Sequence, residues 1–350
     1  MEHASVDTPL QPWAVSEVEY PANADTAEKI RFLLRYAILA PSGHNTQPWL
    51  FRLRDQAVEV RADRTRALPV VDPDDRALVI SCGAALGALR IAARHFGFRA
   101  NVELLPDPSD EDLLAGVSLE HGAPPSDDEE ELFRAIPERH SNRQAFEDRD
   151  VGDDLAERLV ADARDEDVEL HLVRGDDRAA IAQLIGEGDR IQMADKRFRR
   201  ELASWVHPNR SRSRDGMRGY GFGFGELMSH AGPLVIRSFD LGRGQAARDR
   251  DLAEGSPLLA VFATDSDEPA AWVATGQALQ RVLLRARAAG VWSSFLNQPI
   301  EVAELRPRLA ETIDRRGDHP QLVVRFGYGP SIKPEPRRAI EEVLWAEEAN

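Results

Sequence analysis

The spacing of apolar residues predicts that the first third of the chain alternates helices with short strands. Over residues 26–40 the apolar side chains recur on one helical face, which starts at Asp25 or Thr26 and ends at Pro41. Strands are indicated where apolar residues cluster between turn residues, as on either side of the expected turn at Asp55 and Gln56. The predicted elements are helices at 26–40 and 75–96, and strands at 49–54, 57–62, 101–105 and 116–120.

The rest of the chain continues this alternation, with two irregular segments. Residues 1–24 are rich in proline and predict a draped arm. Residues 205–232, which we call the insert, interrupt the pattern with many glycines and aromatic residues. Residues 121–131 are rich in proline and acidic residues and mark a candidate domain boundary. Predicted helices lie at 129–136, 153–163, 176–203, 269–289 and 301–315, and predicted strands at 168–173, 258–264, 291–296 and 321–327.

Two of the predicted helices resemble each other, which indicates an internal repeat. Gly83 and Gly97 mark the first, and Gly276 and Gly290 mark the second at the same separation of 14 residues. Each helix has a small residue early and a glycine at its C-terminal end, where a left-handed cap is expected. Chance similarity between two amphipathic helices is the alternative interpretation.

Length and composition fit a folded chain of two units. A domain typically takes ~100–200 residues, so 350 residues with a hydrophobic fraction of 42% predict two cores. No stretch approaches the ~20 apolar residues that a membrane span needs, and the first residues lack the apolar core of a signal peptide. We therefore expect a cytoplasmic protein. The single cysteine, Cys82, is expected to be a small buried apolar residue.

The formal net charge of −16 limits the partners that the chain can have. Such a chain repels nucleic acid and anionic membranes, so we expect neither partner. The acidic residues are spread along the sequence, which predicts a solvated surface and not a site. Against this background, any local cluster of arginines requires a specific explanation.

The strongest local signal is the segment that we call the Pro-Ser loop, residues 41–48, between a predicted helix and a predicted strand. Prolines fix both of its ends, and small or polar residues lie between them. Free backbone amides in such a loop suit hydrogen bonding to the edge of a planar heterocycle. An ordinary helix-to-strand turn is an equally good interpretation, because serine, glycine and asparagine are turn residues.

Two arginine-containing segments are candidates for binding a phosphate. Arg139 and Arg143 flank Ser141 and can present forked donors to a phosphate group, although a surface charge run is the more common meaning of such a pattern. The predicted strand at 321–327 and its exit contain further arginines, and a solvated tail is the alternative there. These further candidates are Arg325, Arg337 and Arg338.

At this point the motifs resemble a known family. The Pro-Ser loop, read as Pro-Ser-Gly-His-Asn-Thr-Gln-Pro, is similar to the signature of the nitroreductase family, and the Arg-x-Ser-x-Arg run at 139–143 is similar to its FMN phosphate motif. Residues 289–297 and 322–329 resemble later landmarks of the same family. The four motifs occur in order over roughly residues 25 to 345, which is more specific than any of them alone.

The order of the motifs differs from that of an ordinary nitroreductase. In the family, the arginine motif precedes the first helix and the Pro-Ser loop follows closely, whereas here the loop is at 41 and the arginine motif at 139. Ordinary members are homodimers whose two flavin sites each combine the loop of one subunit with the arginines of the other. The sequence therefore resembles the tandem, Acg-type FMN-binding oxidoreductases, in which two degenerate copies share one flavin site.

The resemblance implies FMN as cofactor and NAD(P)H as electron donor. Arg139, Ser141 and Arg143 would hold the phosphate, joined by Arg325 and Arg337. Flavin itself transfers hydride, so no catalytic side chain is required; His44 is a candidate proton donor, with a structural hydrogen bond as the alternative. The residues expected along the flavin are Pro41, Ser42, Gly43, Asn45, Gln47, Ser294, Phe295, Leu296 and Gly327.

Two hypotheses of function follow, and they differ in the role of the insert. The first is an oxidoreductase that reduces nitro compounds, quinones or another small substrate. If the insert is a lid over the flavin, it would restrict NAD(P)H, and the second hypothesis is a non-catalytic, FMN-sequestering protein. If it is instead a packing arm between the halves, access stays open. A decayed scaffold that binds no flavin is a third hypothesis.

The expected fold is α+β, with two mostly antiparallel sheets wrapped by helices and related by a pseudo-two-fold axis. The expected division is an arm at 1–24, a first nitroreductase-like half at 25–125 and a second half at 126–350 that contains the insert. An internal pseudo-dimer permits a monomer, and a homodimer is the other option.

Overall fold

The structure, a computed structural model, describes residues 9–54 and 56–345. Within these residues the helices are α1 Thr26–Ala37, α2 Arg76–His95, α3 Asp127–Ala135, α4 Asp153–Arg164, α5 Asp176–Ala194, α6 Lys196–Ser204, α7 Glu226–Ser238, α8 Gly242–Glu254, α9 Pro269–Ala288, α10 Gln298–Glu301, α11 Arg306–Thr312 and α12 Ile340–Val343. The strands are β1 Trp49–Arg54, β2 Ala57–Ala62, β3 Phe98–Leu104, β4 Leu113–His121, β5 Glu169–Val173, β6 Val206–His207, β7 Met217–Arg218, β8 Leu258–Thr264, β9 Trp292–Phe295 and β10 His319–Gly327.

Two four-stranded sheets form the centres of the two halves. The first has the order β1-β2-β4-β3 and the second the order β5-β8-β10-β9, and every strand pair in both is antiparallel. Strand β8 is buried along its whole length, which explains why its sequence is a continuous apolar run and does not alternate apolar with polar residues. The expectation of an α+β fold with antiparallel sheets is confirmed.

The two long helices cross at the repeated glycines. A Cβ atom on Gly83 would lie 2.4 Å from the carbonyl oxygen of Val273, and one on Gly276 would lie 2.1 Å from that of Ile80. Each glycine therefore touches the residue three positions before the other, as in the self-complementary contact of a two-fold dimer. This reciprocity supports the internal repeat and makes the chain an intrachain pseudo-dimer.

The expectation that no stretch approaches a membrane span was wrong, because α2 is the one described helix that is long and apolar enough to cross a membrane. In the structure 83% of its most apolar window is buried. It packs against α9 and the first sheet, so its composition is explained by its place in the core. Cys82 lies in this helix, 1% exposed, as expected of a buried apolar residue.

The element predictions were wrong for two helices, and two further helices were not predicted. The helix predicted at 176–203 ends at Ala194 because Asp195 is extended and its side chain caps α6. The helix predicted at 301–315 is limited to α11 at 306–312, which has a proline in its first turn, and α10 ends where the predicted helix should begin. Helices α7 and α8 were not predicted, since α7 contains Pro233 and leaves apolar residues such as Leu227 exposed. The predicted turn at 55–56 includes Asp55, which lies outside the described residues.

The segments at both ends of the chain pack against the first half. Trp13 and Tyr20 of the N-terminal arm contact the core that contains α1, α2 and the first sheet. Helices α3 and α12 contribute to the same core, and Leu344 forms a bridge with Phe51 of β1. Parts of the chain after residue 125 thus complete the first core, as arms do in exchanged dimers. The predicted division into 1–24, 25–125 and 126–350 stays a prediction.

A buried pair of carboxyl groups lies between α5, α8 and α10. The Nε2 atom of Gln298 donates to Asp189 Oδ1 (3.1 Å) and to Asp249 Oδ2 (2.8 Å), and both aspartates are almost completely buried. Burial, and secondarily the charge of Asp249, raises the pKa of Asp189 to about 8. Asp189 is therefore protonated in the folded chain at pH values at which the unfolded chain releases this proton.

We expect Asp189→Asn to stabilise the protein at alkaline pH. With a raised folded pKa, the stability contributed by Asp189 is present below pH 4 and is lost as the pH rises toward 8. Asparagine has nearly the shape of the protonated aspartic acid and does not ionise as the pH rises. The free energy of unfolding at pH 8 should therefore rise by roughly 2 kcal/mol. Urea unfolding at pH 5 and pH 8 measures the difference. Equal gains at both pH values would contradict the assigned titration.

Candidate cofactor site

The Pro-Ser loop has an unusual backbone. His44, Asn45 and Gln47 all have positive φ angles, of 48°, 56° and 52°, although none of them is glycine. Each such residue costs free energy, and positions of this kind concentrate at ligand-binding sites. Within the loop, the backbone amide of Gln47 donates to Ser42 Oγ (2.9 Å), which closes the turn. The choice between a binding role for the loop and an ordinary turn stays a prediction.

The side chains of Asn45 and Gln47 hold other segments onto this loop. The Nδ2 atom of Asn45 donates to the carbonyl oxygens of Gly216 (2.9 Å) and Pro336 (3.1 Å). The Nε2 atom of Gln47 donates to the carbonyl oxygen of Arg214 (2.8 Å), and its Oε1 accepts from the backbone amide of Arg338 (2.7 Å). The loop therefore lies where the insert and the C-terminal tail meet. These two side chains already have partners, so their contact with a flavin stays a prediction.

Two buried arginines from distant parts of the chain converge on the start of the loop. Arg139 Nη2 and Arg337 Nη2 both donate to the carbonyl oxygen of Leu39, at 3.0 Å and 3.3 Å. Arg337 Nη1 also donates to Asn45 Oδ1 (2.8 Å). Both guanidinium groups are almost completely buried, and burial lowers the pKa of Arg139 to about 10 and that of Arg337 to about 9.

Several nitrogen atoms of this cluster lack a partner among the described residues. They are Nε and Nη1 of Arg139 and Nε of Arg337, and the adjacent rings contribute His140 Nδ1 and His44 Nε2. Buried donors left without an acceptor are costly, and two neighbouring cations add repulsion. An anion at this position would satisfy the donors and neutralise the charge.

Arg143 contacts the insert and the tail. Its Nη1 donates to Glu335 Oε1 at 3.0 Å, and its guanidinium lies 5.2 Å from the ring centre of Phe222. The second carboxylate oxygen of Glu335 accepts from the backbone amide of Arg218 (2.9 Å). Arg143 thus reaches the site as expected, but its partner is a carboxylate of the chain itself.

His44 is a neutral group in this environment. Burial, and secondarily the positive charge of Arg143, lowers the pKa of His44 to about 4. At pH 7 about one molecule in a thousand would carry the imidazolium. This argues against His44 as a cationic proton donor; since its Nε2 has no partner among the described residues, the structural hydrogen bond stays a prediction.

The remaining predicted residues lie on β9 or directly after it, on β10 or in the Pro-Ser loop. Ser141 forms a parallel bridge with Ser293, directly before Ser294 on β9, so the motif and residues 294–296 are neighbours. Ser294 and Leu296 are buried and Phe295 is half-buried. A Cβ on Gly327 would lie 2.7 Å from Phe146, which explains the glycine by packing. Pro41 is buried, and Ser42 and Gly43 are half-buried in the loop itself.

Arg325 lies behind the arginine motif and contacts its backbone. Its Nη2 donates to the carbonyl oxygens of Asn142 (3.1 Å) and Gln144 (2.9 Å), and its guanidinium lies 4.2 Å from the ring centre of Phe146. It therefore supports the backbone of the arginine motif and does not share an acceptor with Arg139 and Arg337. Its role as a phosphate ligand stays a prediction.

The sequence analysis missed two residues of this site, Trp13 and Glu335. The guanidinium of Arg337 lies 4.7 Å from the ring centre of Trp13, whose Nε1 donates to the carbonyl oxygen of Glu335 (2.9 Å). The available signals were a tryptophan in a proline-rich arm and an acidic residue between two prolines beside Arg337. Neither signal says which distant segment the residue contacts.

Comparison with known proteins identifies the family. The chain is 31% identical over 331 residues to "Putative NAD(P)H nitroreductase Rv3131" of Mycobacterium tuberculosis (strain ATCC 25618 / H37Rv), which covers 92% of this chain and 93% of the relative. It is 28% identical over 335 residues to "Putative NAD(P)H nitroreductase acg" of the same strain, with 93% and 97% covered. The chain belongs to the nitroreductase family, and the alignment with the acg protein extends across both halves.

No family model matches the chain. Among solved structures, the FMN and NADPH-dependent nitroreductase NfnB from sphigopyxis sp. strain HMH is 19% identical, with a TM-score of 0.42, and the alignment covers 62% of this chain and 99% of that chain.

Proposed function

We propose that the protein is an FMN-dependent oxidoreductase that takes electrons from NAD(P)H and reduces a small substrate. Nitro compounds and quinones are the substrate classes that the family resemblance suggests. Relatives named as NAD(P)H nitroreductases align along both halves of the chain, which supports this class of activity.

One observation carries the proposal of FMN. Arg139 and Arg337, which are 198 positions apart in the sequence, meet at the carbonyl oxygen of Leu39 with buried N–H groups that lack partners. A phosphate monoester is a dianion with forked acceptor oxygens, and it would satisfy such donors. The residues present therefore fit the phosphate of FMN at the start of the Pro-Ser loop.

When bound, FMN would supply the two-electron chemistry. The chain would supply binding and orientation. Arg139 and Arg337 would hold the phosphate, and the strained Pro-Ser loop would lie along the flavin with residues 294–296 near by. Neutral His44 would offer an uncharged hydrogen-bonding nitrogen, since the pKa of His44 is lowered to about 4.

The site combines segments from both parts of the repeat. We infer that residues 25–125 supply the loop and that residues 126–350 supply the arginines, so that one chain builds one flavin site. The pseudo-dimer then needs no second subunit to complete this site, although a homodimer is compatible with it. We further propose a cytoplasmic location.

A second candidate function is supported by the way in which the insert sits on the loop. Its residues 214 and 216 accept hydrogen bonds from Gln47 and Asn45, and the amide of Gly216 donates to the carbonyl oxygen of Asn45 (3.1 Å). An insert fixed in this position would restrict NAD(P)H. The protein would then bind FMN without catalysing the reduction of a substrate.

We expect NADPH or NADH to bleach the bound flavin. Under anaerobic conditions, the FMN-loaded protein should show absorbance bands near ~450 nm that disappear when the nicotinamide is added. Dithionite is the control, because it reduces the flavin whether or not the nicotinamide can enter. Bands that dithionite bleaches and NAD(P)H does not would contradict the oxidoreductase proposal.

The sequestering function predicts a further result in the same assay. If the insert limits the access of NAD(P)H to the flavin, NAD(P)H should bleach the flavin bound to a chain that lacks residues 209–225, but not the flavin bound to the full chain. A chain that binds no FMN at all would contradict both candidate functions and would favour the decayed scaffold.

A further inference from the structure

Helix α7 directs its apolar side chains toward the solvent. One side of the helix, with the alternating spacing of three and four residues that is typical of a contact between two helices, is exposed along its whole length. In a helix of a soluble domain such a side normally points to the core. We call it the α7 face, and it consists of Leu227, Ala231, Leu234 and Ser238.

Close packing on the opposite side fixes the orientation of this helix. A Cβ on Gly232 would lie 3.2 Å from Phe224, and a Cβ on Gly219 would lie 2.6 Å from that of Ser229. Ser229 Oγ also accepts from the backbone amide of Asn209 (3.2 Å). Ser229 and Gly232 are buried, so the helix directs its small residues inward. A rotation that buried the leucines would break these contacts.

The exposed apolar residues of the described chain are concentrated at α7. Nine large apolar side chains are exposed by 37% or more, and five of them lie on α7 or within three residues of its end. Single exposed apolar residues are common on protein surfaces, whereas a cluster marks an interaction site. The cluster consists of Leu227 (89%), Met228 (51%), Leu234 (68%), Phe239 (61%) and Leu241 (44%).

The charges beside the α7 face match a second copy of the chain. Glu226 begins α7 and Arg237 lies near its end, and a separation of 11 residues brings both to within about 20° on the same flank. When two identical helices pack antiparallel about a two-fold axis, equal flanks face each other. Glu226 of one copy then lies beside Arg237 of the other.

Neither the existing partner of Glu226 nor a membrane accounts for this arrangement equally well. Arg210 lies 3.2 Å from Glu226 within the chain, but both side chains are exposed, and a carboxylate can accept from two arginines. An anionic lipid surface is the other common partner of an apolar helix face, and a net charge of −16 opposes it. The observations therefore favour a second copy.

We propose that α7 forms the interface of a homodimer in which the α7 faces of two chains pack antiparallel. Leu227 and Leu234 of both chains would be buried, and the small Ala231 near the centre lets the two helices approach closely. This contact joins two complete pseudo-dimers and differs from the contact of α2 with α9 within one chain. It does not depend on the proposed flavin function.

Sedimentation velocity of the full chain at ~1–100 µM tests the proposal, because the dimer fraction rises with concentration. We expect a dimer whose dissociation constant rises about a hundredfold or more in the Leu227→Asp, Leu234→Asp double variant, since charge replaces the apolar contact. Val18→Asp is the matched control, because Val18 is 94% exposed on the N-terminal arm and its replacement should leave the dimer intact. Circular dichroism shows whether each variant stays folded.

Charge reversal tests the antiparallel arrangement. Arg237→Glu places like charges against each other across the interface and should weaken the dimer, and adding Glu226→Arg should recover most of the affinity. A chain that stays monomeric at every concentration, or a dimer that persists in the folded double aspartate variant, would overturn the proposal. So would a monomer that binds vesicles of anionic lipid only when Leu227 and Leu234 are present, because the membrane would then be the partner of α7.

Discussion

The Arg139→Ala, Arg143→Ala double variant is expected to lose FMN, with a dissociation constant raised at least a hundredfold. Arg139 is the proposed phosphate contact and Arg143 adds a positive charge near by, and a hydrogen bond to a charged group contributes about 1.5–3 kcal/mol. Replacing Arg139 removes the proposed phosphate contact. Replacing Arg143 removes its pair with Glu335 and its charge near His44. The unsubstituted chain should bind one FMN, because the repeat contains one Pro-Ser loop and one arginine motif.

Fluorescence titration of FMN into the apoprotein measures both the stoichiometry and the affinity. Arg134→Ala is a suitable control, since Arg134 is exposed on α3 and pairs with Glu130 (3.0 Å) away from the loop. Arg139→Met keeps most of the buried volume and guards against misfolding of the alanine variant. A folded double variant with unchanged affinity would move the phosphate site elsewhere, and two FMN per chain would refute the single shared site.

The sequence predicted the sheets well because their strands are bounded by local signals. Strands β1, β2 and β8 lie where apolar runs end at turn residues, and their observed limits match the predicted ones. The repeated glycines of α2 and α9 were equally visible, since close contact of two backbones leaves room only for glycine. These features depend on short stretches of sequence.

The sequence predicted which segments belong to the candidate site, but not which of their residues contact each other. The motifs located the Pro-Ser loop and the 139–143 run, but no periodicity says that Arg139 and Arg337 share the carbonyl oxygen of Leu39. The same limit applies to Arg325, whose partners are two backbone carbonyls, and to Glu335, which pairs with Arg143. Contacts between distant segments follow from the tertiary fold, and a single sequence carries no direct record of them.

Replacing Gly276 with alanine is expected to destabilise the protein by roughly 3 kcal/mol or more. The new Cβ would lie 2.1 Å from the carbonyl oxygen of Ile80 and 2.5 Å from the amide nitrogen of Ala84. Both are backbone atoms of α2 and cannot rotate away, so the two helices must separate and lose contacts along their crossing. Overpacking of a core typically costs about 1–3 kcal/mol. Because the clash here is with backbone atoms, we expect a loss of stability at or above the upper end of this range.

The reciprocal glycine gives this prediction a sharper form. Gly83→Ala should be destabilising for the same reason, since its Cβ would lie 2.4 Å from the carbonyl oxygen of Val273. One separation of the helices relieves both clashes, so the double variant should lose less than the sum of the two single losses. Gly244→Ala on α8 is the control, because its Cβ meets no atom within 4 Å and the helix should gain up to about 1 kcal/mol.

Chemical denaturation of the four variants measures these free energies. If the double variant loses as much stability as the two single variants together, the glycines act independently, which would contradict a shared crossing. Non-additive losses would tie the stability of both halves to one contact between α2 and α9. Since the loop comes from one side of that contact and the arginines from the other, the same glycine crossing would fix the distance across the candidate cofactor site.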